Sequence, residues 1–177
     1  MAVLPNPRTW TVGELLTAAK LNTDLRDGLN FLLATKPLCK LKLSAGVNLS
    51  SQDIPWSAED IDRDNGHSTV TNTTRYTAQT AGWYSAIAAI EWVDAFTTGE
   101  ARLVRIGHIN SGGSLVWSTG SGCLSLGTGN NTQVSLSGIF PMAVGDYLVV
   151  TVVISGAGTE LISNSTSFSI EWINKTP

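Results

Sequence analysis

Charge is scarce in this chain. Asp, Glu, Lys and Arg make up 14% of its 177 residues, and eleven bases against fourteen acids leave a net charge of −3. No basic field able to neutralise a phosphate backbone is present, so nucleic acid is not an expected partner. Long apolar runs are missing too. No segment nears the ~18 apolar residues of a membrane span, and membrane insertion is not expected. The first residues, Met1-Ala-Val-Leu-Pro-Asn-Pro-Arg8, have neither the apolar centre nor the small-residue cleavage site of a secretory signal, which predicts synthesis as a soluble cytoplasmic chain. Cysteine is limited to Cys39 and Cys123, outside any short Cys-x-x-Cys spacing and away from histidine. A zinc site is therefore excluded, and buried free thiols are expected in preference to a disulfide. The two histidines lie in different segments with no nucleophile motif beside them. His67 reads as a turn residue and His108 as a strand-edge side chain, so neither catalytic residues nor a cofactor are expected.

What the chain does contain is 42% hydrophobic residues and seventeen glycines, spread among short β-branched runs. That is enough for one sizeable core, in an all-β domain with many tight turns and a small appendage. The stretch Arg75 to Val93 organises the rest. After the Thr80-Ala-Gly82 turn, Tyr84, Ala86, Ala88, Ile90 and Trp92 are all apolar, the period of two that sets one row of side chains on a buried sheet face. Trp83, Ser85, Ile87, Ala89 and Glu91 on the other face are small or mixed, which predicts cover by another sheet or another subunit.

Ahead of the β domain, Pro5 and Pro7 fix an extended lead-in. Thr11-Val-Gly-Glu14 has the form of a capping box, and Thr17 is a second N-cap candidate. A helix is predicted from Ala18 to Ala34, with Leu21, Leu25, Leu29 and Leu32 in a narrow apolar stripe and Asn22, Asp24, Arg26, Asp27 and Asn30 opposite. Such a stripe serves either packing against the β domain or a short parallel bundle about an oligomer axis. Lys36-Pro37 ends the helix. The expected division is residues 1–36, an arm and helix, and residues 37–177, the β domain.

Leu38 to Leu43 alternates as a first strand, and Ile54-Pro-Trp56 is a short edge piece. Ser57 to His67 reads as an acidic loop. Asp60, Asp62 and Asp64 invite comparison with a calcium loop, but the glycine comes one place late and Thr71 stands where a bidentate glutamate belongs. An irregular cation site or a solvated, turn-forming loop remain as its readings. Thr69-Val70 and Arg75 to Thr77 are short strands. Arg102 to Ile109 alternates and is expected to pair with the central strand. Leu115 to Trp117 and Cys123 to Leu126 are short strands around Gly- and Ser-rich connections, Ser111-Gly-Gly and Ser118 to Gly122. Gln133 to Phe140 is a strand with a bulge expected at Gly138. Pro141 to Asp146 is a turn, Tyr147 to Ile154 a strand buried on both faces, and Phe168 to Trp172 an alternating one. Roughly ten short strands make the expected fold mainly β, a ten-stranded antiparallel jelly-roll sandwich after an N-terminal helical segment.

Asp62-Arg-Asp-Asn-Gly-His67, Asn72-Thr-Thr-Arg75, Ala81-Gly-Trp-Tyr84, Ile90-Glu-Trp92, Gly99-Glu-Ala-Arg102, Arg105-Ile, Ala143-Val-Gly-Asp-Tyr147 and Phe168-Ser-Ile170, in that order, resemble the jelly roll of complement globular heads and tumour necrosis factor, in the version found in bacteriophage virion proteins. Pro7-Arg-Thr-Trp-Thr-Val-Gly-Glu-Leu-Leu-Thr-Ala-Ala-Lys-Leu-Asn22 with Leu25-Arg-Asp27 resembles the N-terminal segment of phage tail and other minor virion proteins. The resemblance implies a homotrimer located in the virion and made in the bacterial cytoplasm, with other virion structural proteins as partners and a host glycan or receptor as a further one. Leu21, Leu25, Leu29 and Leu32 would then form the anchor or oligomer seam, and Trp83, Tyr84, Ile87, Trp92, Tyr147 and Val149 the core or the trimer interface.

Overall fold

The computed structural model describes residues 9–93, 100–125, 131–155 and 158–175. The lead-in expected around Pro5 and Pro7 lies outside them. Thr11 and Glu14 do bond to each other, Thr11 N donating to Glu14 Oε2 at 3.3 Å, but they close a turn and cap no helix. Gly13, at φ 81°, leaves the helical region there. The helical run begins instead behind Thr17, whose Oγ1 accepts from Lys20 N at 3.3 Å. In it, α-helical turns (α1, Ala18–Leu21; α2, Asp27–Asn30) alternate with π-helical ones (Asn22–Arg26 and Phe31–Thr35). Lys36, at ψ 128°, ends it before Pro37, as the proline requires.

Twelve strands, numbered in chain order, form two antiparallel sheets among the described residues. The seven-stranded sheet runs β2 (Val47–Leu49), β11 (Glu160–Ile162), β6 (Gly82–Val93), β12 (Ser167–Asn174), β1 (Leu38–Lys42), β4 (Ala58–Asp62), with β9 (Thr132–Met142) along the other side of β6. The five-stranded sheet runs β3 (Gln52–Asp53), β10 (Tyr147–Ile154), β7 (Ala101–Ile109), β8 (Leu115–Leu124), with β5 (Arg75–Thr77) beside β10. The fold is the expected mainly-β jelly-roll sandwich, and β6 is its central strand. Tyr84, Ala86, Ala88, Ile90 and Trp92 project from it into the space between the sheets and are buried, as their period of two predicts. Facing residues complete the core: Leu41, Trp56, Tyr76, Ile106, Val150 and Phe168 are all inaccessible, with Trp56 and Phe168 stacked at 5.8 Å between ring centroids.

Several local expectations are corrected. Strand β7 does not pair with β6; it lies in the other sheet between β10 and β8, because both sides of β6 are taken by β9 and by β11 and β12. The acidic stretch is not all loop. Ala58–Asp62 is β4, paired to β1, and its alternation is hidden because it is an edge strand with solvent on both faces. Neither Ile54-Pro-Trp56 nor Thr69-Val70 is a strand, although Ile54 and Trp56 enter the core. Ser118 to Gly122 is not a connection but the middle of β8, in continuous register with β7, where a Cβ on Gly122 would sit 2.9 Å from Arg102 O. The bulge expected at Gly138 is also absent, since β9 keeps register with β6 from Gly82↔Met142 to Trp92↔Thr132. Gly138 instead makes room. A Cβ there would lie 2.7 Å from the Phe140 ring and 3.1 Å from Thr119 of β8. The same register brings Pro141 and Met142 out of the expected turn and into β9.

Candidate functional site

Side-chain alternation on β6 puts Trp83, Ser85, Ile87, Ala89 and Glu91 on the outward face of the larger sheet. Pairing register sets Pro141, Ile139, Ser137 and Ser135 of β9 beside them on one flank, and Glu171, Ser169 and Ser167 of β12 on the other. Among the described residues nothing covers this face as the expected second layer would: Ile87 is 51% exposed, Ile139 57%, and Trp83 and Ala89 are half-buried. The serines and Ala89 leave its middle flat, with Trp83, Ile87 and Ile139 standing above it and Glu91 and Glu171 at its margins.

Strands β8 and β9 border this face and each is hydrogen-bonded on one side only among the described residues, β8 to β7 and β9 to β6. Neither contains a charged residue. Charge, proline and short length are the usual devices that stop a strand edge from pairing with another chain. Here only Pro141, near the end of β9, is present. Trp117 stands opposite His108 and therefore projects from the core side of β8, yet it is 56% exposed beside the turn that joins β7 to β8. Leu115, Val116 and Leu124 on the same strand are exposed as well.

The helical run is fastened at its end. Phe31 is buried with its ring edge-on to Trp172 at 5.1 Å, and Lys36 Nζ pairs with Glu171 Oε1 at 2.5 Å. Trp172 Nε1 in turn donates to Ala81 O at 3.2 Å, and Gly82 lets the indole lie flat, since a Cβ there would meet Nε1 at 2.1 Å. Leu21, Leu25, Leu29 and Leu32 all remain exposed, with Leu33 beside them, so the stripe does not pack on the chain's own β domain. The sequence pattern singled out the stripe and missed Phe31, whose partner is 141 positions away, the difference between 172 and 31.

The remaining candidates are separated. Tyr84 and Trp92 are buried in the sandwich, whereas Val149 is buried on the opposite face of β10, the face it shares with Tyr147, which is half-buried under the Arg75 guanidinium, 4.5 Å from the ring centroid. Asp60, Asp62 and Asp64 do not converge. Asp60 reaches Lys42 and Lys40, and the hydrogen bond to Lys42 with that to Lys40 holds its carboxyl below the ordinary range. Asp62 accepts from the backbone N of Gly66 and His67 at 3.1 and 2.9 Å, closing the turn. Asp64 is buried and accepts from Tyr76 Oη at 2.7 Å. Burial pushes its carboxyl up to about 6 against the pull of that bond, with Asp62 adding to the rise. Each carboxylate is committed to the fold, and no group of three or more metal-ligating side chains occurs among the described residues. Both cysteines are free, as expected, and burial pushes the Cys39 thiol well up.

His108 is not a strand-edge side chain. It is buried, with Nε2 3.0 Å from Asp146 Oδ2 and its ring against Phe140. Burial alone would raise the Asp146 carboxyl, but bonds from Ala143 N, His108 and Ser111 N bring it below the ordinary value. This pair ties the β7–β8 turn to the β9–β10 turn. In this arrangement the pair braces the two turns against each other.

The sequence matches no protein-family model and no curated protein. Comparison of the folds is more telling. The chain is similar to the globular domain of zebrafish complement 1qA, at 12% identity over 80% of this chain and 100% of that one, with a TM-score of 0.59. The fold is that of the complement and tumour necrosis factor jelly rolls. Eiger TNF from S. frugiperda is similar at 14% identity, 81% and 96% coverage and a TM-score of 0.58, and murine APRIL at 15%, 78% and 99%, and 0.57. At such identities the likeness establishes the architecture, and function has to come from the surfaces just described.

Proposed function

We propose that this chain is a structural protein of a bacteriophage particle, displayed as a homotrimer through its jelly roll and attached through its N-terminal helical segment. The observation that carries the self-association is the pairing of an outward face that exposes Ile87 and Ile139 among small serines with two long uncharged strand edges on β8 and β9. The face and the edge are different surfaces of one chain. An edge that packs on the next copy's face makes a heterologous contact, which closes as a ring when the rotation fits. Three copies follow the resemblance to the complement and tumour necrosis factor jelly rolls. The virion assignment rests on the resemblance of Pro7 to Asn22 and Leu25 to Asp27 to phage minor virion proteins, and it is supported by the exposed stripe, which is left free to meet other helices.

The decisive experiment measures mass by light scattering and occupancy on purified particles for the full chain, for residues 37–177, and for Leu25→Asp beside Asn22→Asp. The full chain is expected at three times the chain mass. The 37–177 fragment and Leu25→Asp are expected to lose occupancy while Asn22→Asp keeps it. A monomer at micromolar concentration overturns the trimer, and equal occupancy of both helix variants overturns the anchor. A second reading, an adhesion module that meets a host receptor, is favoured by the exposed Trp117 beside the polar Asn110–Ser114 turn. Trp56, by contrast, is buried and Trp83 only half-buried.

A further inference from the structure

Leu21, Leu25, Leu29 and Leu33 recur in the helical run at a strict spacing of four, and all are exposed, with Leu32 exposed beside the last of them. In an uninterrupted α-helix, at about 3.6 residues per turn, such a row winds around the axis. Here the turns over Asn22–Arg26 and Phe31–Thr35 are π-helical and hold more residues than the α-helical turns between them. The mean rises to about four residues per turn, and the leucines stay in one line. Phe31, which fastens the run to Trp172, is two positions from both Leu29 and Leu33 and so lies on the opposite side of the helix. The row therefore faces away from the chain's own β domain.

Opposite charges stand on its two flanks at one height, Asp24 just before Leu25 and Arg26 just after it. Arg26 bonds the exposed carboxylate of Asp27 at 2.9 Å, a neighbour contact that solvent screens. Lys20, on the same flank as Asp24, is held by Glu14 at 2.7 Å. When helices pack in parallel around an axis, the leading flank of one meets the trailing flank of the next, which brings Arg26 beside Asp24 of its neighbour at every contact. An antiparallel pair instead brings the Arg26 flank, with Asn22 and Asn30, against itself, and Arg26 then meets no carboxylate. The attachment of the run suits the parallel case. Lys36 pairs with Glu171, which stands on the outward face of the larger sheet across from Ser85. The helix thus leaves the β domain at the margin of the face that the proposed assembly covers, and copies attached alike run in one direction.

We propose that the leucine row mates with the same row on other copies of this chain, in a parallel bundle where Arg26 pairs with Asp24 of the next copy. This rests on the homotrimer proposed above and names the partner of its helical segment. The leucines supply the buried apolar surface, and the charge pair selects the parallel arrangement. Each helix then lies between its own β domain and the axis.

Disulfide cross-linking of the full chain tests this, in a Cys123→Ser background that leaves only the buried Cys39. Leu25→Cys and Leu29→Cys are each expected to link copies under mild oxidation about fivefold or more faster than Thr23→Cys, two positions from Leu21 and Leu25 and hence on the opposite side. Adding Arg26→Glu is expected to slow the Leu29→Cys link about threefold, and Asp24→Lys on top of it to restore the rate. Light scattering on the same samples separates two failures. A trimer in which Leu25→Cys and Leu29→Cys link no faster than Thr23→Cys overturns the bundle and leaves the homotrimer standing, whereas a monomer overturns both. The bundle also falls if Arg26→Glu leaves the rate unchanged, or if on purified particles both row cysteines link to a protein of another mass in place of a second copy.

Discussion

The sandwich has two kinds of edge. On one side, β4 carries Glu59, Asp60 and Asp62, with Lys40 and Lys42 of β1 paired to Asp60, and the segment that follows folds back over β5. On the other, β8 and β9 present ten and eleven residues without a charge, and Trp117 and Ile139 stand exposed beside them. Unpaired backbone is a hazard on both sides. The first side answers it within the chain, through carboxylates that would have to be desolvated before another strand could dock. The second has no charge among the described residues and only Pro141 near the end of β9, and in the proposed assembly a second copy covers it. The difference separates an edge guarded by charge from one that carries none.

The largest effect is expected from breaking the uncharged edge. Ile139→Lys places an ammonium where the interface closes, and light scattering should show the assembly falling to the chain mass while circular dichroism keeps the β signal. The buried carboxylate beside the charged edge should give the next largest. Folding raises the Asp64 pKa to about 6, so the charged form is the one that folding disfavours. The stability this group contributes is complete below the ordinary carboxylate value and is lost as pH rises through about 6. Denaturant melts from about pH 4 to about pH 7 should show the loss, on the order of 3 kcal/mol at most, and Asp64→Asn should flatten it.

A third change tests how closely β8 and β9 approach each other. Gly138→Val drives a branched side chain against Phe140 and Thr119 and is expected to cost about 1–3 kcal/mol of stability in a urea melt. The smallest effect belongs to the charged edge. Asp60→Asn removes a surface partner of Lys42 and Lys40, and neither the mass nor the melting temperature at neutral pH should change measurably. A change of mass there as large as that of Ile139→Lys would end the contrast between the two edges.

Most of the fold was legible because alternation survives wherever one strand face is buried. The pattern of β6 and the apolar run of β10 were read correctly as strands, and Pro37 marked the end of the helix. Alternation vanished in β4 and the middle of β8, where both faces meet water or where glycine and serine replace larger groups, and these were read as loops. The candidate site was less legible. Ile87 was singled out for one face of β6, but Ile139 came onto that same face only through the β6–β9 pairing. His108 and Asp146 gave no signal at all, because a bond between turns 38 residues apart follows no local period.

The sequence by itself determined the strands with one buried face, the helical stripe, the scarcity of charge and the helix stop before Pro37, since each depends on residues a few positions apart. Which sheet β7 joins, the docking of Phe31 on Trp172, the dispersal of Asp60, Asp62 and Asp64 to separate partners, and the exposure of the β8 and β9 edges were decided by the tertiary structure. The physical reason is distance along the chain. A local pattern specifies which face of a strand is apolar, and only the packing of both sheets specifies what that face, or an edge beside it, is left to meet.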